Sequence, residues 1–492
     1  MKKLRLAFSL MLSISLLVAF VPGAAAGGPS GSWVSGINCV NLSSTQANIQ
    51  LNFYAQNSAA VSLTFPDTIL PNGTKGYYTP VSFPSLASGF VGSAVVSSDQ
   101  PLACNVNTQT TGTGTAANPY RVGTSAGFTA GAGSMFDPQV MKNVGGTVGN
   151  TWNSYMAVQN TGTSATTASV TYQDRAGNAV PAANESFLIQ PGSNHIFYQN
   201  DNANLPNNFF GAAKVTASGG GTIVVGASFY NDGSSASASQ FSSFRGVATG
   251  ASTILLPRTV RRYYGYNSGV TVQNVGGSPV AAGQLHITFT IGGTPFVVTD
   301  PAALAPGAAW ALYLPNVPEL LGVDAKPMNQ RFGGAVVSGP GGSSLIAIVN
   351  EDNRGNPADS NGLPIPIERQ GQGDTYNGVG LSDATSTVFF PQVPNNAGGV
   401  FSGGFNIANA TNTAGTCTIT YGTTGVVENN VALAGNGSIA RFAPNVAGLP
   451  NGYNGGVSAH CTQNIVGIAN LGVVVGSGKV GDSFTQSTGL NQ

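Results

Sequence analysis

The chain reads as an all-β protein of four tandem antiparallel β-sandwich domains following a cleaved signal peptide, and three observations lead there. The first is one strand written four times. An aromatic residue stands eight positions before an asparagine, with apolar residues four and two before it: Trp33…Ile37-x-Cys39-x-Asn41, Trp152…Met156-x-Val158-x-Asn160, Tyr266…Val270-x-Val272-x-Asn274 and Phe401…Phe405-x-Ile407-x-Asn409. A Ser or Gly sits six before each asparagine (Ser35, Ser154, Ser268, Gly403). Apolar residues at every second position mark a half-buried strand, with Asn38, Ala157, Thr271 and Asn406 expected to face outward.

The second observation is order. The four asparagines are spaced by 119, 114 and 135 residues. Each is followed by an aromatic-x-Gly landmark (Phe90 to Gly92, Phe209 to Gly211, Phe332 to Gly334, Tyr453 to Gly455) and then by an apolar strand ending in Asn107, Asn231, Asn350 or Asn470. The third is turn chemistry. Pro71-Asn-Gly73, Pro191-Gly192, Pro306-Gly307 and Asn436-Gly437 recur between the landmarks, where a preset or positive φ lets the chain reverse. About seven short strands per repeat, with turns every 8–12 residues or so, is the pattern of an antiparallel sandwich.

Taken in order, Lys2, Lys3 and Arg5, the apolar run Leu6 to Phe20 and Ala24-Ala25-Ala26 predict a signal peptide over 1–26. The repeats follow at 30–123, 134–247, 252–380 (with an insertion at 351–373) and 386–476, and a polar tail at 477–492. Repeats two to four open on proline-interrupted apolar strands (Phe136 to Val140, Leu256 to Val260, Phe390 to Val393), the mark of an edge strand because proline removes a ladder donor. No later apolar run is long enough to span a membrane, so no insertion is expected after signal cleavage. The predicted location is secreted or on the cell surface.

Charged residues make up only 7% of the chain, and without Lys2, Lys3 and Arg5 there are 15 basic against 18 acidic residues. Nucleic acid is therefore excluded as a partner, since phosphate binding needs a basic excess. Four cysteines in an exported chain predict two disulfides, Cys39–Cys104 in the first repeat and Cys417–Cys461 in the last. Staples on the terminal repeats suit a beaded or solenoid-like array.

Catalytic signals are weak. Gly123-Thr-Ser125-Ala-Gly127 spells a nucleophile elbow but lacks the strand-to-helix context the elbow requires. His195, His286 and His460 lie in three different repeats without ligand spacing. The segment ending Gly476-Ser-Gly478-Lys479 fails the phosphate-loop spacing. No enzymatic activity and no cofactor are expected. Glu351, Asp352 and Asp359 in the insertion offer oxygen ligands for Ca2+, without an EF-hand pattern.

Aromatic and basic residues at the entrance loops are the candidate ligand contacts: Trp152 and Tyr155 in repeat two, and Arg261, Arg262, Tyr263 and Tyr264, beside Arg258 and Tyr266, in repeat three. Stacked aromatics flanked by hydrogen-bonding groups hold sugar rings, and packing between repeats is the competing role.

The W/Y-N-S-x3-V-Q-N-x-G strand, at Trp152 to Gly162 and Tyr266 to Gly276, resembles uncharacterised exported bacterial proteins built from tandem immunoglobulin-like or fibronectin-type β-sandwiches. The resemblance covers most of the mature chain and implies an immunoglobulin-like architecture without the Cys…Trp…Cys core. It implies a structural or adhesive surface role: a repeat protein that self-associates into a filament, sheath or surface layer, or that engages other cell-surface components. Glycan binding through the entrance-loop aromatics is the alternative, and an enzyme seated in repeat three is the third class.

Overall fold

The computed structural model describes residues 12–16, 28–145, 151–233, 239–353, 358 and 362–492. The predicted signal peptide, apart from 12–16, and Asp359 lie outside the described residues. The chain is nearly all antiparallel β.

Repeat two shows the plan. One sheet has the strand order Glu185–Ile189, Thr166–Asp174, Phe209–Ala217, Ser134–Lys142. The other runs Asn194–Tyr198, Thr151–Asn160, Ile223–Asp232, Ser239–Arg245. Repeat three repeats both orders, with Asn267–Asn274 as the signature strand and Gly373–Asn377 at the end of its second sheet. In repeat four the single strand Tyr453–Val473 serves both sheets. Repeat one departs at one place. Where the other repeats set a proline-bearing entrance strand beside the strand that follows the aromatic-x-Gly landmark, Gly92–Ser98 is paired with Leu12–Leu16.

The signature asparagine is a hydrogen-bonding corner post. The Asn274 amide Nδ2 donates to the Ser278 carbonyl (2.8 Å) and the Leu304 carbonyl (3.0 Å), while Oδ1 accepts the Gly276 N–H (3.0 Å). Asn41, Asn160 and Asn409 make the same set, to the carbonyl four residues on, to a second strand end, and from the N–H two residues on. All four are buried. Asparagine is the one short side chain that offers both donors and an acceptor here, which explains its return at each copy.

Both predicted disulfides form, each between directly paired neighbours on adjacent strands: Cys39 opposite Cys104 and Cys417 opposite Cys461. The apolar signature residues point into the sandwich cores as expected. The intervening residues do not face solvent, however. Asn38, Ala157, Thr271 and Asn406 are all under 9% exposed. By contrast Ala47–Ala55, on the other sheet of its sandwich, keeps the buried–exposed alternation of a one-sided strand.

The reason is the arrangement of the repeats, which is a closed ring and not a string of beads. The last strand of each second sheet (Tyr120–Ala126, Ser239–Arg245, Gly373–Asn377, Thr485–Thr488) packs against its counterparts around a common axis. Every signature strand is thereby buried on both faces along most of its length. At the axis one carboxylate ties the repeats together: Asp374 accepts the backbone N–H groups of Gln486 (2.7 Å), Ser243 (3.2 Å) and Thr124 (3.3 Å), one from each of the other three repeats. Asp482 accepts from Phe241 (3.0 Å) and Gly373 (2.8 Å). Gly123 stands in repeat one where Asp374 stands in repeat three, and a Cβ there would lie 2.7 Å from the Ser243 nitrogen.

The stretch from Ser477, expected as a polar tail, is corrected: residues 482–488 are buried and supply the fourth axial strand. Its Thr, Gln and Ser side chains read as solvated in sequence because their partners belong to other repeats.

Replacing Asn274 by Ala is expected to remove three hydrogen bonds and leave buried backbone groups unpaired, costing about 2–4 kcal/mol. Urea denaturation of wild type and variant measures it; a loss below about 0.5 kcal/mol would refute the corner-post role.

Candidate binding cleft between the second and third repeats

The aromatic that opens each signature strand packs at a junction between repeats, and one junction is built differently. Trp33 meets Phe241 of repeat two with ring centroids 4.5 Å apart. Tyr266 meets Phe484 of the fourth repeat's axial segment at 5.4 Å, and Phe401 meets Tyr120 of repeat one at 5.7 Å. Phe241 and Phe484 each stand five residues before the glycine that follows their axial strand, Gly246 and Gly489. At the same register in repeat three, five before Gly378, stands Gly373.

Among the described residues Trp152 therefore has no cross-repeat aromatic partner. It rests on Phe229 of its own repeat (5.5 Å), and beside it lies a cavity of about 230 Å³. Gln139, Gln240, Asn350, Asp352 and Asp374 contribute to the walls. The floor is held by a small apolar cluster that joins the two repeats, Met141, Ala227, Phe229 and Phe244 against Ile348. A side chain at 373 would enter this space, meeting Asp352 Cβ at 3.0 Å and Gln240 Nε2 at 3.1 Å. A flat apolar ring beside side-chain amides and carboxylates suits a ligand with one apolar face and hydroxyl edges.

The other predicted residues are placed elsewhere. Tyr155 is fully buried in the core of repeat two against Tyr198 and Phe241, so it touches no ligand. Arg261 is also fully buried. It pairs with Asp324 (2.8 Å) and donates to the Leu314 and Val317 carbonyls, which leaves it no free edge. Arg262 lies 3.4 Å from the same Asp324. Tyr263 packs on Phe332 (5.5 Å) beneath the Arg258 guanidinium (5.3 Å).

Tyr264 and Gly265 form a two-residue reversal closed by Tyr263–Tyr266 backbone bonds, with φ of 48° at Tyr264, and Tyr264 is exposed. These residues pack the domain end, and of the six predicted contacts Trp152 alone lines the cleft.

Glu351, read from sequence as a calcium ligand, is engaged by side chains of the chain itself. Arg258 holds it in a bidentate pair (2.8 and 2.7 Å) and Gln486 Nε2 donates to it at 2.9 Å. Among the described residues no group of three or more His, Cys, Asp or Glu side chains is placed to hold a metal ion. The Gly476-Ser-Gly478 loop does cradle an anion, but it is the chain's own. Glu368 Oε1 accepts both the Gly476 and Gly478 N–H groups at 3.0 Å. The elbow-like Ser125 lies within an axial strand, not at a strand-to-helix turn.

Sequence reasoning missed Gly373, Asp374 and the axial strands as a class. A signal was present: each is followed by Gly-apolar, at Gly127-Phe128, Gly246-Val247, Gly378-Val379 and Gly489-Leu490.

Burial governs the electrostatics. It pushes the Asp374 and Asp482 carboxyls well above the ordinary range, against the N–H donors that favour their anions, and the charge of Asp374 raises Asp482 further. Burial lifts Asp137 to about 7 and also raises Glu185. His195, desolvated against Phe187, falls to about 4.

No family model and no curated protein matches this chain. Among solved structures, a Thermotoga maritima protein aligns at 15% identity over 24% of this chain and 93% of its own, with a TM-score of 0.20. A Ca2+-stabilised ice-binding adhesin of an Antarctic bacterium aligns at 12% identity over 92% of this chain and 93% of its own, TM-score 0.11. The BSP domain of a biofilm-associated protein aligns at 10% identity over 92% and 90%, TM-score 0.15. Likeness at this level carries no argument.

The raised acids bind protons in the folded state that the unfolded chain has lost above pH 4 or so, so stability falls as pH rises through that window. His195, depressed, acts the other way between about 6.5 and 4, as one group against four. The urea midpoint is therefore expected to be higher at pH 5 than at pH 8. A midpoint that rises from pH 5 to pH 8 would contradict the placement of these carboxyls.

Proposed function

We propose that this is a non-catalytic, extracellular adhesive protein of a cell surface, and that it contacts a glycan in the cleft beside Trp152. The observation that carries the reading is the unfilled junction: Gly373 stands where Phe241 and Phe484 cover the corresponding aromatics, which leaves the Trp152 ring beside a polar-walled cavity. Two disulfides and the signal-like leader suit an extracellular setting. Neutral hydrogen-bonding side chains in place of charges suit recognition of uncharged hydroxylated surfaces.

A glycan array probed with wild type, Trp152→Ala and Tyr264→Ala tests this reading. Wild type and Tyr264→Ala are expected to bind the same glycans, with Trp152→Ala weakened about tenfold or more, the loss of about 1.4 kcal/mol of stacking. Equal binding by Trp152→Ala would remove the cleft from consideration.

A second reading, self-association, rests on a different observation. With the leader gone, Gly92–Ser98 has no partner on one side, and it carries neither charge nor proline. The outer edges of the corresponding sheets are blunted by Pro66 and Asp67, Glu185, Pro295 and Glu428. An unprotected edge pairs with another strand, here that of a second copy. Sedimentation velocity of the leaderless chain should show concentration-dependent dimers that Val95→Lys abolishes. A wild-type chain that stays monomeric at high concentration would defeat this second reading.

A further inference from the structure

The four axial strands end together at one mouth of the ring axis, each at its glycine: Gly127, Gly246, Gly378 and Gly489. A cavity of about 470 Å³ opens there, with walls from all four repeats. One position before the glycine the repeats carry Ala126, Arg245, Asn377 and Thr488, so the near-symmetric mouth holds a single cation.

Arg245 is fixed in place. Its backbone N–H donates to Asn377 Oδ1 (3.0 Å) and its carbonyl accepts from Asn377 Nδ2 (2.7 Å). The guanidinium donates one bond, from Nη1 to the Gly127 carbonyl (3.1 Å), and lies 5.7 Å from the Phe128 ring centre. Among the described residues no carboxylate lies within ion-pair distance of it, and its other N–H groups have no protein acceptor. Arg121, Arg258 and Arg261 each pair with an acid, and the buried Arg331 donates to the Lys326 and Asp324 carbonyls. A half-buried guanidinium with unused donors facing a cavity is a ready partner for an anion.

We propose that this axial cavity binds a carboxylated, hydroxyl-rich small ligand of sugar-acid size, with the carboxylate on the Arg245 fork. The volume falls in the range of small-molecule sites, about 300–1,000 Å³. Thr129, Thr249, Ser382 and Asn491 supply hydroxyl and amide partners around the charge. Asp383 lines the same cavity, exposed and unpaired with Arg245, and its charge opposes the ligand's.

Calorimetric titration of the full chain with glucuronate, glucose and sulfate tests the assignment, with a glucuronate-terminated oligosaccharide as a further arm. Glucuronate is expected to bind, glucose to bind at least about tenfold more weakly, and sulfate more weakly than glucuronate. Arg245→Gln should cost about tenfold or more, and Asp383→Asn should tighten binding by about two- to threefold by removing a like charge. If Arg245→Gln does not fold, the Asp383→Asn gain and the glucuronate–glucose difference still decide. Tighter binding of the oligosaccharide than of the monosaccharide identifies a polysaccharide end as the source, and equal binding identifies the free acid. Trp152→Ala should leave all of these values unchanged, so the two sites succeed or fail separately. Equal affinity for glucuronate and glucose, sulfate binding as tight as glucuronate, or indifference to both variants would overturn the proposal.

Discussion

A carboxylate that receives the backbone N–H groups of three other repeats holds this ring closed. Asp374 meets Thr124, Ser243 and Gln486 at the axis, and no side chain of the neighbours takes part. Backbone donors are available at any residue, so the contact places no demand on side-chain identity in the other three strands. What it demands is close approach, and the small residues of the axial strands permit that. Gly123 is the clearest case, since any Cβ there would collide with the neighbouring backbone.

A polar axis changes what each sandwich must bury. An isolated sandwich turns the outer faces of both sheets to water, and its strands alternate accordingly. Here the signature sheets face inward, and Asn38, Thr271 and Asn406 are covered along with the apolar residues between which they stand. The low charge of the chain follows from the same geometry. Lys and Glu on those faces would be desolvated at the junctions, whereas Ser, Thr, Asn and Gln find partners there. The charges that are buried are mostly neutralised, as in Arg258 with Glu351 and Arg261 with Asp324.

The candidate sites lie where the fourfold likeness breaks. Three junctions are closed by paired aromatics and the one beside Trp152 is open, because Gly373 replaces a phenylalanine. At the axial mouth three positions carry neutral residues and one carries Arg245. A repeat protein that has become a ring in one chain can alter one junction at a time, which a ring of identical subunits cannot do, since there every substitution appears at every junction. That freedom is the physical basis for looking to departures from the repeat for function, and to its regular features for stability.

Asn41, Asn160, Asn274 and Asn409 show what the amino-acid sequence determined by itself. Period-two alternation, the turn dipeptides and the recurring asparagine are local signals, so strand positions, the all-β class and both disulfide partners were legible in it. Trp152 was legible too, as the aromatic of a repeated strand. That its partner is missing was not, because the vacancy is a residue of another repeat, Gly373, more than 200 positions away. The fourth axial strand was read as a polar tail, and the other three went unrecognised at the ends of their repeats, because Ser, Thr and Gly look solvated until the other repeats supply their partners. Closure of the ring, burial of both faces of the signature strands, and the open junction at Trp152 depend on contacts between repeats. No pattern within one repeat encodes them, so only the tertiary structure decided them.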